Sequence, residues 1–197
     1  MAPIREIRAD FDRRTVVVYQ AYSPAIAQAA LEHQRLVPPF SLQRMTWIKP
    51  SFLWLMHRSS WARSPNQERI LAVRISRAGW EEALGLAVLS HFEPTSVHRT
   101  PERWQEALEA SPVRVQWDPE RALRGGPLGW SAIQVGLGRG IVERYATSWV
   151  EEITELTGTA HRVQALLTAG QAASARRLLP PERPYPLEDR LRAHLGI

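Results

Sequence analysis

Thr15-Val16-Val17-Val18-Tyr19-Gln20-Ala21-Tyr22-Ser23-Pro24 is the stretch that decides the fold class. Its first half is β-branched and aromatic, the composition of a strand. A period of two puts Val16, Val18, Gln20 and Tyr22 on one face and Val17 and Tyr19 on the other. Ser23-Pro24 then opens a helix, with serine as N-cap and proline at the first helical position. The alanine-rich run from Ala25 to about Gln34 continues it, and Pro38-Pro39 stops it. A strand thus hands directly to a helix, and the pattern recurs along the chain.

Met45 to Lys49 reads as a short strand ending before Pro50, because a residue before proline is pushed to extended geometry. Ser51 then caps a helix over Phe52 to Arg58. Arg69 to Ile75 is a strand. Trp80, Ala83, Leu84, Ala87 and Val88 follow helical spacing. Thr100-Pro101 starts a helix to about Ala110, and Val113 to Trp117 alternates as a strand. Asp118-Pro119-Glu120-Arg121 reads as a turn or one helical turn, and Trp130 to Val135 as another strand. Val142, Tyr145, Trp149, Ile153 and Leu156 form a helical stripe. Helices over Arg162–Leu167, Ala172–Leu179 and Leu187–Leu195 complete the chain. The expected architecture is α+β: a central, mostly antiparallel sheet of five or six strands, surrounding helices and a helical C-terminal third. Residues 1–160 are expected to form the α+β unit, with residues 161–197 a helical extension packed on it.

The 197 residues are enough for one domain with a substantial core, and 44% apolar content with eight tryptophans argues against disorder. No apolar run approaches the ~20 residues that span a bilayer. The segment Met1 to Glu6 has no apolar signal region, so a cytoplasmic protein without membrane association is expected. The absence of cysteine excludes disulfides, zinc-thiolate sites and a thiol nucleophile. The six histidines show no metal spacing, so no metal is expected. A net charge of +5 with scattered arginines is mild for a nucleic-acid binder. Gly136-Leu137-Gly138-Arg139-Gly140 has the spacing GxGxG rather than GxGxxG, and reads as a tight turn.

The candidate site is the block Arg44-Met45-Thr46-Trp47-Ile48-Lys49-Pro50-Ser51-Phe52-Leu53-Trp54-Leu55-Met56-His57-Arg58. Of the 25 Lys and Arg residues, Lys49 is the only lysine. Trp47, Trp54, Ser51, His57 and Arg58 crowd around it. Apolar walls with a few placed polar groups are the mixture a pocket uses. Gln20 and Gln134 each interrupt an apolar strand, which suggests a polar cleft between strands. Glu68, in Asn66-Gln67-Glu68-Arg69 before a strand, is a further candidate for such a cleft.

Val18 to Tyr22, Met45 to Arg58, Asn66 to Ala72, Val113 to Glu120 and Ile133 to Leu137 together resemble the domain-of-unknown-function family numbered 4291. Tyr19-Gln20-Ala21-Tyr22-Ser23-Pro24-Ala25-Ile26-Ala27 is in addition similar in cadence to the first strand and helix of the ADP-ribosyltransferase superfamily. In that resemblance Gln20 falls where the NAD-contacting histidine falls, and Tyr22 where a threonine does. Gln134 is nearest in position to the late-strand glutamate.

What this resemblance implies is an NAD-binding protein that transfers ADP-ribose to an acceptor, possible acceptors including a nucleic acid. Gln20, Glu68 and Gln134 would serve the chemistry. Tyr19, Tyr22, Trp47, Lys49, Ser51, Trp54, His57 and Arg58 would hold the cofactor, the tryptophans by stacking and the cations by the pyrophosphate. The alternative is a noncatalytic nucleic-acid-binding domain that uses arginines and exposed tryptophans.

Overall fold

The computed structural model describes residues 4–197. Short strands β1 (Ile4–Arg5) and β2 (Arg8–Ala9) lead into β3 (Thr15–Tyr22) and α1 (Pro24–His33). Strand β4 (Thr46–Ile48) is followed by α2 (Phe52–Arg58), β5 (Arg69–Ser76), α3 (Arg77–Leu86), β6 (Ala87–Leu89) and α4 (Pro101–Ala110). Then come β7 (Val113–Arg121), β8 (Pro127–Leu137), α5 (Ile141–Arg144), a π-helical turn (Tyr145–Trp149) and β9 (Val150–Glu155). The chain ends with α6 (Thr157–Thr168), α7 (Ala172–Arg176), β10 (Arg183–Pro184) and α8 (Asp189–Leu195).

The mixed α and β content is as expected, but one central sheet is not what forms. Strands β1, β8, β7 and β6 lie in that order, and β4 pairs with β8, giving a five-stranded sheet. In it β1 runs parallel to β8 and β6 parallel to β7, so the sheet is mixed. A separate three-stranded sheet, β3-β5-β9, is antiparallel throughout. An isolated bridge between Tyr19 and Lys49 joins the two, with the Tyr19 amide donating to the Lys49 carbonyl at 2.7 Å. The sheet therefore curls at this seam. Proline has no N–H for a ladder, so Pro50 ends β4 after three paired residues.

The expected alternation of β3 holds. Val16 and Val18 enter the principal core with Leu71, Val73 and Ile75 of β5, Val115 of β7, and Ile133 and Val135 of β8. Val17 and Tyr19 point the other way, into a second cluster with Phe52, Leu55, Met56 and Ile70. Helix α1 starts as read, with Ser23 extended and Pro24 in the first turn. It ends at Gln34, in the left-handed region at φ 50°. The Gln34 side chain then exchanges two hydrogen bonds with the backbone of Ile153 on β9.

Three local expectations give way to tertiary pairing. Ala87 and Val88 leave the helix at Leu86 and join β6, where they register with Val113 and Arg114 of β7. Ile153 lies on strand β9 paired with Val73, not on a helix, because β-branched Val150, Ile153 and Thr154 complete the sheet. Asp118 to Arg121 is the far end of β7 rather than a turn. The register shift between Pro119 and Arg121 absorbs the proline, as bulges do.

At the C-terminus, α6 begins earlier than read, at Thr157, and α7 stops at Arg176. Tyr185 and Leu195 are buried in the principal core, and β10 pairs with β2. The glycine run serves geometry. A Cβ at Gly136 would meet Met45 Sδ at 2.8 Å and the Trp47 ring at 3.0 Å, and Gly140 sits at φ 78°.

Candidate functional site

Lys49 stands between β4 and α2 with only 2% of its surface exposed. Its Nζ donates to Asp118 Oδ2 at 2.9 Å and lies 3.0 Å from the centroid of the Trp54 ring. Burial pushes the amine down from its usual 10.5 to about 7, against the opposing pull of Asp118 and Glu120. The next residues fix α2. The Ser51 hydroxyl accepts from the Trp54 amide at 3.2 Å and donates to Glu120 Oε1 at 2.8 Å. The Phe52 amide donates to Glu182 Oε1 at 2.7 Å. Carboxylates at a helix N-terminus complement its free N–H groups. Burial nevertheless pushes the Glu182 carboxyl up to about 8, and neighbouring Glu120 adds to that.

Lys49 and Trp54 border a cleft of about 620 Å³ at the seam between the sheets. Gln20, Gln116 and Gln134 are already paired within the protein. Gln20, 4% exposed, donates from Nε2 to Thr46 Oγ1 at 2.9 Å and to the Trp47 carbonyl at 3.1 Å. Its Oε1 accepts from the Tyr145 hydroxyl. Gln134 Nε2 donates to Gln116 Oε1 at 3.0 Å across directly paired positions of β7 and β8. Tyr22 and Thr46 hydroxyls are 3.3 Å apart, and burial pushes the Tyr22 phenol up.

Of the residues singled out from the sequence, Tyr19, Gln20, Tyr22, Trp47, Lys49, Trp54, Arg58 and Gln134 line this cleft. Ser51 faces a different cavity of about 210 Å³, shared with Glu120, Trp130 and Glu182. His57 opens onto a third, of about 560 Å³, beside Leu123 and Gly125. Glu68 Oε1 accepts from the Asn66 amide at 2.9 Å within the turn before β5, and the cleft is lined there by Asn66 and Gln67 instead.

Sequence reading gave Arg44 no role of its own within the block, and it missed Gln116, Asp118 and Glu120. The last three sit at i, i+2 and i+4 of β7, so continuing the strand through Pro119 would have put them on one face. No comparable signal marked Glu182, some 130 residues from the amide it caps. Among the described residues, no group of three His, Cys, Asp or Glu is placed to hold a metal. No helix there is long and apolar enough to cross a membrane.

The two shifted groups give opposite pH dependences. Folding raises Glu182 from 4.5 to about 8, so the folded state keeps a proton that the unfolded chain releases. Stability therefore falls as pH climbs through that window. Folding lowers Lys49 from 10.5 to about 7, so the unfolded chain keeps the proton and stability rises across that window. Chemical denaturation against pH is expected to pass through a minimum between 7 and 8. Glu182→Gln should remove the falling limb and Lys49→Met the rising one. A flat profile from roughly pH 5 to 10 would count against both assignments.

A family model described as a domain of unknown function, DUF4291, matches residues 6–185. No curated protein matches the chain. The match carries the first of the two resemblances and not the one to ADP-ribosyltransferases.

Proposed function

The chain belongs to the DUF4291 family, whose description names no activity, and from the cleft we propose that the protein binds a nucleotide there, NAD being the first to test. Arg44 and Arg58 carry this reading: both line the cleft, both are exposed, and neither has an ion-pair partner among the described residues. Unpaired guanidinium groups suit phosphate oxygens. Trp47, Trp54 and Tyr22 offer planar surfaces in the same space. A volume of about 620 Å³ falls within the usual range for small-molecule sites.

Transfer of ADP-ribose, with a nucleic acid among the possible acceptors, needs a carboxylate near the anomeric carbon. Glu68 is held in its turn, and Gln134 is an amide bonded to Gln116. No described Asp or Glu lines the cleft itself, and Asp118, which meets Lys49 at 2.9 Å, is the carboxylate a transferase would use. The alternative of a stacking nucleic-acid binder finds less support. Trp80 and Trp149 are buried, and the other tryptophans are half-buried.

Tryptophan fluorescence and thermal shift should respond saturably to NAD and to ADP-ribose. Arg58→Ala should weaken the response by about tenfold, the loss of one charge-assisted contact. No response to either ligand at millimolar concentration would overturn the nucleotide reading.

A further inference from the structure

We infer that Lys49 is a covalent nucleophile, whose ε-amine condenses with the aldehyde or ketone carbon of a phosphorylated, ring-bearing ligand held in the cleft. The inference rests on the reading of the cleft as a phosphate-and-ring site, and adds a chemistry to it.

A buried lysine gains little as structure. Replacing a buried ion pair by apolar groups of similar volume is often neutral or stabilising. Here the cost of burial falls on the lysine, since its side chain is 3% exposed while that of Asp118 is 27% exposed. The amine is nonetheless held on three sides. Its backbone carbonyl is fixed by Tyr19, Pro50 restricts the chain beyond it, and the head group rests on the Trp54 face against Asp118. Lys49 is among the residues that line the cleft, beside Trp47, Trp54 and Arg58. Desolvation of this kind leaves a lysine partly neutral near pH 7, the form that attacks carbonyl carbon.

The atoms balance without a further reactant. Nζ adds to the carbonyl carbon and gives up a proton to Asp118, 2.9 Å away and within reach for acid–base work. Asp118 returns that proton to the alkoxide oxygen, giving a carbinolamine, and then carries the second N–H proton to the same oxygen, which leaves as water while the C=N bond forms. The ligand's phosphate lies against Arg58 and Arg44, and its ring against Trp47 or Tyr22. In this arrangement Asp118 is both the orienting group of the free amine and its proton carrier.

The composition makes the test clean. Lys49 is the only lysine, so the one other primary amine of the chain is at its N-terminus. The probe is pyridoxal 5′-phosphate, a phosphorylated aromatic aldehyde, trapped with cyanoborohydride and located by peptide mass mapping. At pH 7 the adduct should form on the peptide Met45–Arg58 about tenfold or more faster than on Nα-acetyl-lysine, because desolvation frees the amine. Lys49→Met should lose it while keeping a cooperative melt. Asp118→Asn should slow trapping and alter its pH–rate profile, yet bind pyridoxine 5′-phosphate as the parent does.

That alcohol has no carbonyl, so it reads binding alone. Binding of the alcohol with trapping at Lys49 supports the inference. Binding without trapping, or trapping no faster than on the free amino acid, overturns the nucleophile and leaves the cleft reading standing. No binding of the alcohol removes the phosphate-and-ring reading as well.

Discussion

Replacing Gln20 with leucine is expected to lower the unfolding free energy by about 3 kcal/mol, the cost of orphaning buried hydrogen-bonding groups. Leucine nearly fills the space, so the loss is not that of a cavity. It comes from Tyr145, whose hydroxyl donates to Gln20 and whose ring is fully buried, and from Thr46 and the Trp47 carbonyl, which Gln20 ties together. The buried Tyr145 hydroxyl would be left without its acceptor. The double variant Gln20→Leu/Tyr145→Phe should recover part of the loss, because removing both partners leaves no orphan between them. Urea unfolding of the four proteins measures the cycle. A Gln20→Leu variant within about 0.5 kcal/mol of the parent would show that the network contributes little. If that variant also lost ligand binding, Gln20 would return to the ligand-contacting role that the sequence suggested.

Gly79→Ala should also destabilise, by about 2–3 kcal/mol, the usual cost of overpacking. Helix propensity alone predicts the opposite sign, since alanine is favoured over glycine inside a helix by about 1 kcal/mol. The close approach of Trp149 reverses it. A Cβ at Gly79 would lie 2.4 Å from Trp149 Cγ and Cδ2. The indole is 4% exposed and packs edge-on to Tyr145 at 6.5 Å, so it has no free space to move into. Trimming the ring by Trp149→Leu in the Gly79→Ala background should restore part of the loss relative to the two single changes. A stabilised Gly79→Ala protein would mean that the helix and the π-helical turn can separate at small cost.

Strand β3, its two faces, the proline-led start of α1 and the capped starts of α2 and α4 were legible because local chemistry sets them, although the Ser23 side chain makes no capping hydrogen bond. The seam was not. A curl between two sheets depends on which edges meet, and the single bridge from Tyr19 to Lys49 has no trace in either segment alone. Strand β9 looked helical because Val142, Tyr145 and Trp149 do line one face of a helical and π-helical run. The period carried the eye past Trp149, although pairing with β5 takes over at Val150. Aromatic crowding around one lysine pointed to a segment that lines much of the cleft. The groups that modulate that lysine stayed hidden behind Asp118-Pro119, a pair with strong turn character that the bulge accommodates inside a strand.

The residue that carries the amine also joins the sheets. Moving the Lys49 backbone toward a ligand would break the Tyr19 bridge, so the cleft has little freedom to close around what it binds. Helix α2 starts from the same fixed point, capped by Ser51 and Glu182, and Arg58 is its last residue. At 1.5 Å per residue, Phe52 and Arg58 are separated by about 9 Å along the axis. Lys49 thus stands just before the start of this helix and Arg58 at its end. On the reading proposed for the cleft, recognition would be selection by length: ligands would be sorted by the spacing between their electrophilic carbon and their anionic group, with little ordering entropy left for the protein to lose.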